Sequence, residues 1–148
     1  SIFAGSLFGE AFVCAGIPHL PVDIVAAEDC TIMFLKGKKL LNTCDNGCKF
    51  HHTLIRNLLG IVAQNNMYLN QKIKYTSRKT TREKLMAYLT DQAKMKGSND
   101  FTIPFNRQEL ADYLGVERSA MSAELGKLTK LGILQTQRSH FTLLKPLD

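Results

Sequence analysis

The spacing of apolar and polar positions changes along this chain, and each change predicts a different element. From Ser1 to about Leu41 the apolar residues come in short runs broken by turn residues: "SIFAGSLFGEAF" mixes aromatic and aliphatic side chains with glycine, and "VDIVAAEDCTIMFL" is two apolar runs split by Glu28-Asp29. The proline-bearing loop "GIPHLP" lies between them. This pattern predicts strands joined by tight turns. So few strands cannot close a barrel or cover a sandwich, so edges would stay exposed unless partner strands came from upstream of Ser1 or from another chain.

From Lys49 to about Tyr75 the period becomes helical. Leu54, Ile55, Leu58, Leu59, Ile61, Val62, Leu69 and Ile73 recur at steps of three and four without an intervening proline. Such a helix has room for two apolar stripes, one to pack on the β region and an adjoining one to pair with a second copy as in a short coiled coil. Leu54, Leu58, Ile61, Asn65 and Leu69 mark the expected dimer seam. A polar seam residue such as Asn65 can set register, and it reads equally well as a solvated side chain. Gly60 costs a helix interior about 1 kcal/mol against alanine, so it marks either a close helix approach or a tolerated accident.

Beyond a short expected hinge at Tyr75 to Lys79, the signals become local and sharp. Thr80 followed by Glu83 is a capping box opening a helix with Leu85, Met86, Leu89 and Ala93 on its apolar face, ending before Gly97. Asn106 and Glu109 form a second capping box, with Leu110, Ala111 and Leu114 facing inward and Gly115 able to take the left-handed conformation that ends the helix. A further helix runs from about Glu117 to Leu131. "GILQTQRSHFTLL" then alternates as a β-hairpin with a polar tip, to which "FTIPF" can add a strand. Helix, strand, two hinged helices and hairpin make a winged helix-turn-helix.

The last helix has two chemically different faces. Met121, Leu125 and Leu128 form a narrow apolar stripe, while Ser119, Ser122, Ala123 and Gly126 lie on the other side. Solvated helix faces usually carry long charged residues. A small, hydroxyl-bearing face can instead sink into a DNA major groove about 12 Å wide, with Arg118 at its N-terminal end reaching guanine or phosphate. Gln108, Lys127 and Arg138 are the expected phosphate contacts, each also readable as a solvated surface residue.

Charge supports a polyanionic partner for the second half. Residues 1–71 carry five Lys or Arg and five Asp or Glu, whereas residues 72–148 carry fourteen against eight, which accounts for the whole net charge of +6. No apolar run is long enough for a bilayer and no signal pattern opens the sequence, so the chain reads as soluble and cytoplasmic with no membrane partner. Its four cysteines, Cys14, Cys30, Cys44 and Cys48, are then expected as reduced thiols. Cys44 and Cys48 with His51 and His52 could bind a metal or sense redox state on one helix face, but Asp45-Asn46-Gly47 is turn chemistry that breaks this face. We assign neither a metal site nor a cofactor. Nor does the sequence hold a nucleophile beside a base, a phosphate-cradling glycine loop or a plausible carboxylate pair, so an enzyme is not expected.

"SLFGEAF", "VDIVAAEDCTIMFL", the long helix, "TREKLMAYL" and "FNRQELADYLGVERSAMSAELGKLTKLGIL", in that order, resemble the catabolite-activator and fumarate-nitrate-reductase (Crp/Fnr) superfamily of regulators. The resemblance covers nearly the whole chain and is most specific in the final segment. It implies an α+β chain: part of a cyclic-nucleotide-binding-type β-roll that senses an effector over residues 1–48, a dimerisation helix over 49–76, and a winged helix-turn-helix DNA-binding domain over 77–148. It also implies that the first part of the roll is missing. Homodimers of such proteins bind palindromic double-stranded DNA at promoters, with RNA polymerase as a further partner. Gly9 and Glu10 match the ribose-contact pattern, and His19 could meet an anion. The positions of the Arg-Ser or Arg-Thr pair of cyclic-AMP-binding members hold Leu20 and Pro21, so the effector is expected to be something other than cyclic AMP. In the reader, Arg118 matches a base-reading arginine, while later base-reading places hold Ser119 and Ala123. The rival expectations are a winged-helix protein-interaction adaptor and a thiol or metal redox sensor.

Overall fold

The computed structural model describes residue 2 and residues 4–41 and 48–144. The chain divides into two compact units, Ser1–Met67 and Tyr68–Asp148.

In the first unit, α1 spans Glu10–Cys14, α2 spans Gly37–Leu41, and α3 begins at Lys49. Gly9 caps α1 in the left-handed region at φ 81°, where a side chain would be strained. Gly37 lies so close to Val13 that a Cβ there would collide with it. Asn65 of α3 donates from Nδ2 to Glu10 Oε1 at 2.8 Å.

The expected β-roll segment is not seen. Among the described residues of this unit there is no strand; "GEAFVC" turns into α1, and the stretch through Ile24 to Leu35 runs without ladder partners. Val25, Met33 and Phe34 are 80–88% exposed. The physical reason is that a strand is stabilised by pairing: an apolar alternation with no neighbouring edge has nothing to satisfy its backbone or cover its face.

The second unit starts inside α3, which ends at Thr76, and continues with α4 (Thr81–Lys96), β1 (Asp100–Thr102), α5 (Arg107–Leu114), α6 (Arg118–Lys130), β2 (Leu134–Gln137) and β3 (His140–Leu143). Both capping boxes form as the spacing predicts. Thr80 Oγ1 accepts from the Glu83 amide at 3.1 Å while the Glu83 carboxylate accepts from the Thr80 amide at 3.1 Å. Asn106 Oδ1 accepts from the amides of Gln108 and Glu109, and Glu109 Oε2 accepts from the Asn106 amide at 2.7 Å. Gly97 and Gly115 close α4 and α5 in the left-handed region.

The three strands pair antiparallel in the order β1-β3-β2, with Phe101 opposite Phe141 and Leu134 opposite Leu143. Alternation along these strands buries Phe101, Leu134, Phe141 and Leu143 on one face. They close over Leu85 and Leu89 of α4, Leu110 and Leu114 of α5, and Met121, Leu125 and Leu128 of α6 in one core. Each such side chain contributes roughly 1.5–3 kcal/mol by leaving water.

The hinge expected at Tyr75 to Lys79 is anchored rather than free on its N-terminal side. Tyr75 is 2% exposed, packs edge-on against Tyr88 with ring centroids 5.5 Å apart, and donates its hydroxyl to Asp91 Oδ2 at 3.0 Å. Burial first, and the Asp91 carboxylate second, push its phenol well above the ordinary tyrosine range. The end of α3 therefore belongs to the winged unit.

Candidate nucleic-acid interface

The fold brings a two-faced helix to the surface. In α6, Met121 and Leu128 are fully buried and Leu125 nearly so, which turns Ser119, Ala120, Ser122, Ala123 and Gly126 outward to solvent. Arg118 occupies the first helical position and is exposed, with no hydrogen-bond or ion-pair partner among the described residues. The capping residue Glu117 makes no side-chain bond to the first turn, so its amides are left to meet water or an anion. Lys84 of α4 donates to the Gly115 carbonyl at 3.2 Å, tying the turn between α5 and α6 to the core.

The expected phosphate contacts are in different states. Lys127 is exposed but lies 3.3 Å from Glu124, so reaching a phosphate means leaving that carboxylate. Gln108 donates from Nε2 to Asp112 Oδ1 at 2.9 Å, which engages its side chain on α5. Arg138 is exposed at the tip of the β2–β3 hairpin, and its φ of 53° makes it the one non-glycine residue with positive φ among the described residues. Arg118, Lys127, Lys130 and Arg138 thus supply exposed positive charge on α6 and the hairpin.

Of the expected effector residues, Gly9 caps α1, Glu10 is held by Asn65, and His19 is exposed in the following loop. Leu20 packs beside Gly9. Of the expected dimer residues, Leu54, Leu58 and Ile61 are half-buried within the first unit and Asn65 is bonded to Glu10, whereas Leu69 is 55% exposed. Leu59, Leu69 and Ile73 are the strongly exposed aliphatic residues of α3. Cys14 and Cys30 are exposed free thiols, and Cys48 Sγ lies 3.2 Å from His51 Nδ1. Cys44 lies outside the described residues. Among the described residues no group of three His, Cys, Asp or Glu side chains is placed to hold a metal. No helix of the described residues is long and apolar enough to cross a membrane.

Two features escaped sequence reasoning. On the sheet surface, Asp100 Oδ1 accepts from Thr142 at 2.6 Å and lies 2.8 Å from His140 Nε2; these bonds, the Thr142 hydroxyl foremost, hold the Asp100 carboxyl below its usual range. Only the register Asp100 opposite Thr142 brings them together. The other is Arg107, a first-turn residue of α5 that packs inward on the hairpin.

The α5–turn–α6 pair, the antiparallel hairpin behind it and the exposed face of α6 define a winged helix-turn-helix DNA-binding domain. Residues 83–147 match the Crp-like helix-turn-helix domain family, a match that leaves out α3 and everything before it. This segment is similar to Crp-like helix-turn-helix domains, which supports a DNA-binding role in transcription regulation. A search among curated proteins gives no match.

Proposed function

We propose that the chain is a dimeric, effector-controlled transcription regulator that reads a palindromic DNA site with α6. The observation that carries this reading is the exposed small-residue face of α6 with an unpartnered Arg118 at its N-terminal end. Arg118 donates two guanidinium N–H groups to a guanine, Ser119 and Ser122 add hydroxyl contacts, and Ala123 meets a thymine methyl. Lys127, Gln108 and Arg138 contact phosphates and set affinity and register without reading sequence.

A second copy pairs along α3. The seam is Leu54, Leu58, Ile61, Asn65 and Leu69, spaced by steps of four and three as in a coiled coil, and Leu59, Leu69 and Ile73 are strongly exposed along the same helix. Pairing sets two α6 helices about 34–36 Å apart, one turn of DNA. The effector acts on the first unit, near Gly9, Glu10 and His19. With no arginine in that region to neutralise a phosphate, it is a ligand other than cyclic AMP. Occupation of a promoter site then controls access or recruitment of RNA polymerase from the cytoplasm.

Selection from random duplex DNA, with affinity followed against salt, tests the reading. The expected result is an enriched palindrome with half-sites about one turn apart and an affinity that falls steeply as salt rises. Sequence-blind binding that vanishes at physiological salt, with and without cell-extract small molecules, would favour a protein-interaction adaptor instead.

A further inference from the structure

Arg107 opens α5, and a capped helix would ordinarily leave such a residue in water. Here Nη2 donates to Thr136 Oγ1 of β2 at 2.6 Å, the guanidinium stands 5.0 Å from the Phe141 ring centroid of β3, and Nη1 is buried without a hydrogen-bond partner. Burial lowers the pKa of the group, yet an arginine stays charged. An orphaned, half-desolvated cation is a poor way to fill this space; an apolar side chain of similar length would do so without the desolvation cost.

What the side chain does reach is both strands of the hairpin at once. The hairpin's tip is strapped from a second direction: Ser139 Oγ donates to the Phe105 carbonyl at 2.8 Å, and the Ile103 amide donates to the Ser139 carbonyl at 3.0 Å. Between these anchors, Gln137 pairs with His140 and leaves Arg138 and Ser139 as a two-residue turn. Arg138 holds there a left-handed φ of 53°, a conformation that favours glycine at such a turn. A long basic residue kept at a glycine position on a doubly fastened tip is placed for contact outside the fold.

We propose that Arg107 is a positioning residue for DNA binding: it fastens the β2–β3 hairpin to α5 so that Arg138 is presented as a preformed phosphate contact. The inference rests on the DNA-binding reading above. A contact held in place before binding loses less conformational freedom when the complex forms, so the fastening shows up as affinity rather than as stability.

The test uses the full chain, a mixed-sequence DNA duplex as probe, and three measurements: thermal stability, hydrogen exchange at the Ile103 amide, and affinity across a salt series. Arg107→Met is expected to leave stability unchanged or raise it, to speed exchange at Ile103, and to weaken duplex binding on the order of fivefold. Arg138→Gly is expected to raise the melting temperature by relieving the turn, and to weaken binding while lowering the salt slope by about one. The decisive result is the double variant, which should bind no more weakly than Arg138→Gly alone, because Arg107 acts through Arg138. Thr136→Val removes the acceptor without touching α5 and should show the same pattern, so the test does not depend on one variant folding. Additive losses in the double variant, or an Ile103 amide as protected in Arg107→Met as in the wild type, would overturn the proposal. Absence of any salt-dependent duplex binding by the wild-type chain, with exchange at Ile103 still dependent on Arg107, would show that the DNA-binding reading itself had failed and would take the proposal with it.

Discussion

The first unit of this chain is richer in apolar residues than the winged unit, yet it is the winged unit that buries them. In the winged unit, apolar positions from four helices, the end of α3 among them, and three strands meet in one core, and every buried hydrophobic residue among those described lies at Tyr75 or beyond. In the first unit, the apolar segment from Ile17 to Leu35 stays largely exposed, with Phe34 at 88%. The difference teaches that apolar content alone buries nothing. Elements must present complementary faces, and an alternating segment without a neighbouring edge has none.

The largest effect that can sharpen this contrast is in the core. Leu110→Ala, at a fully buried position where α5 meets the other helices, should cost about 2–5 kcal/mol in urea unfolding monitored by circular dichroism. Phe34→Ala should change the same midpoint by no more than about 0.5 kcal/mol. A large effect at Phe34 would mean that the first unit packs more tightly in solution, and the comparison would fail.

Next comes the reading face. Arg118→Ala should lose about 1–3 kcal/mol on the selected site and relax specificity at one base step, with no change in melting temperature. An unchanged binding profile would remove Arg118 from the readout. Of similar or smaller size is the loss of a cap: Thr80→Ala should lower stability by about 0.5–2 kcal/mol in thermal melts, through the first turn of α4. Lys127→Ala should be smaller still and nonspecific, weakening all duplexes alike and reducing the salt slope by about one.

The smallest effect is one of pH. The backbone amide of Thr80 and its neighbours hold the Glu83 carboxyl below its unfolded value of about 4.3. A depressed folded pKa gives a stabilisation that is present above the unfolded pKa and is lost as pH falls through the folded one. Melting temperature should therefore decline below about pH 4.3, and Glu83→Gln should flatten part of that decline. An identical acid limb in the variant would show that the capping carboxylate is not titrating as the geometry requires.

Much of the winged unit was legible because its signals are short-range. Thr80 with Glu83 and Asn106 with Glu109 lie three residues apart, and Gly97 and Gly115 sit at the ends of the helices they close. The small face of α6 was visible from its period alone. The seam of α3 was legible only as two adjoining stripes, since the bond from Asn65 to Glu10 spans fifty-five residues. Tyr75 reads as a helix end in sequence, while its burial depends on Tyr88 and Asp91 of α4. The β-roll expectation depended most on partners and fared worst.

In the winged unit the sequence by itself determined where helices start and stop, which face of α6 is small, and how the hairpin alternates, because caps, turns and periods are settled within a few residues of each other. Tertiary structure alone decided that Arg107 turns inward onto Thr136 and Phe141, that Asp100 meets His140 and Thr142, and that the first unit leaves its apolar segment uncovered. In each of those cases the energy comes from a partner tens of residues away, and only the folded chain can say whether that partner arrives.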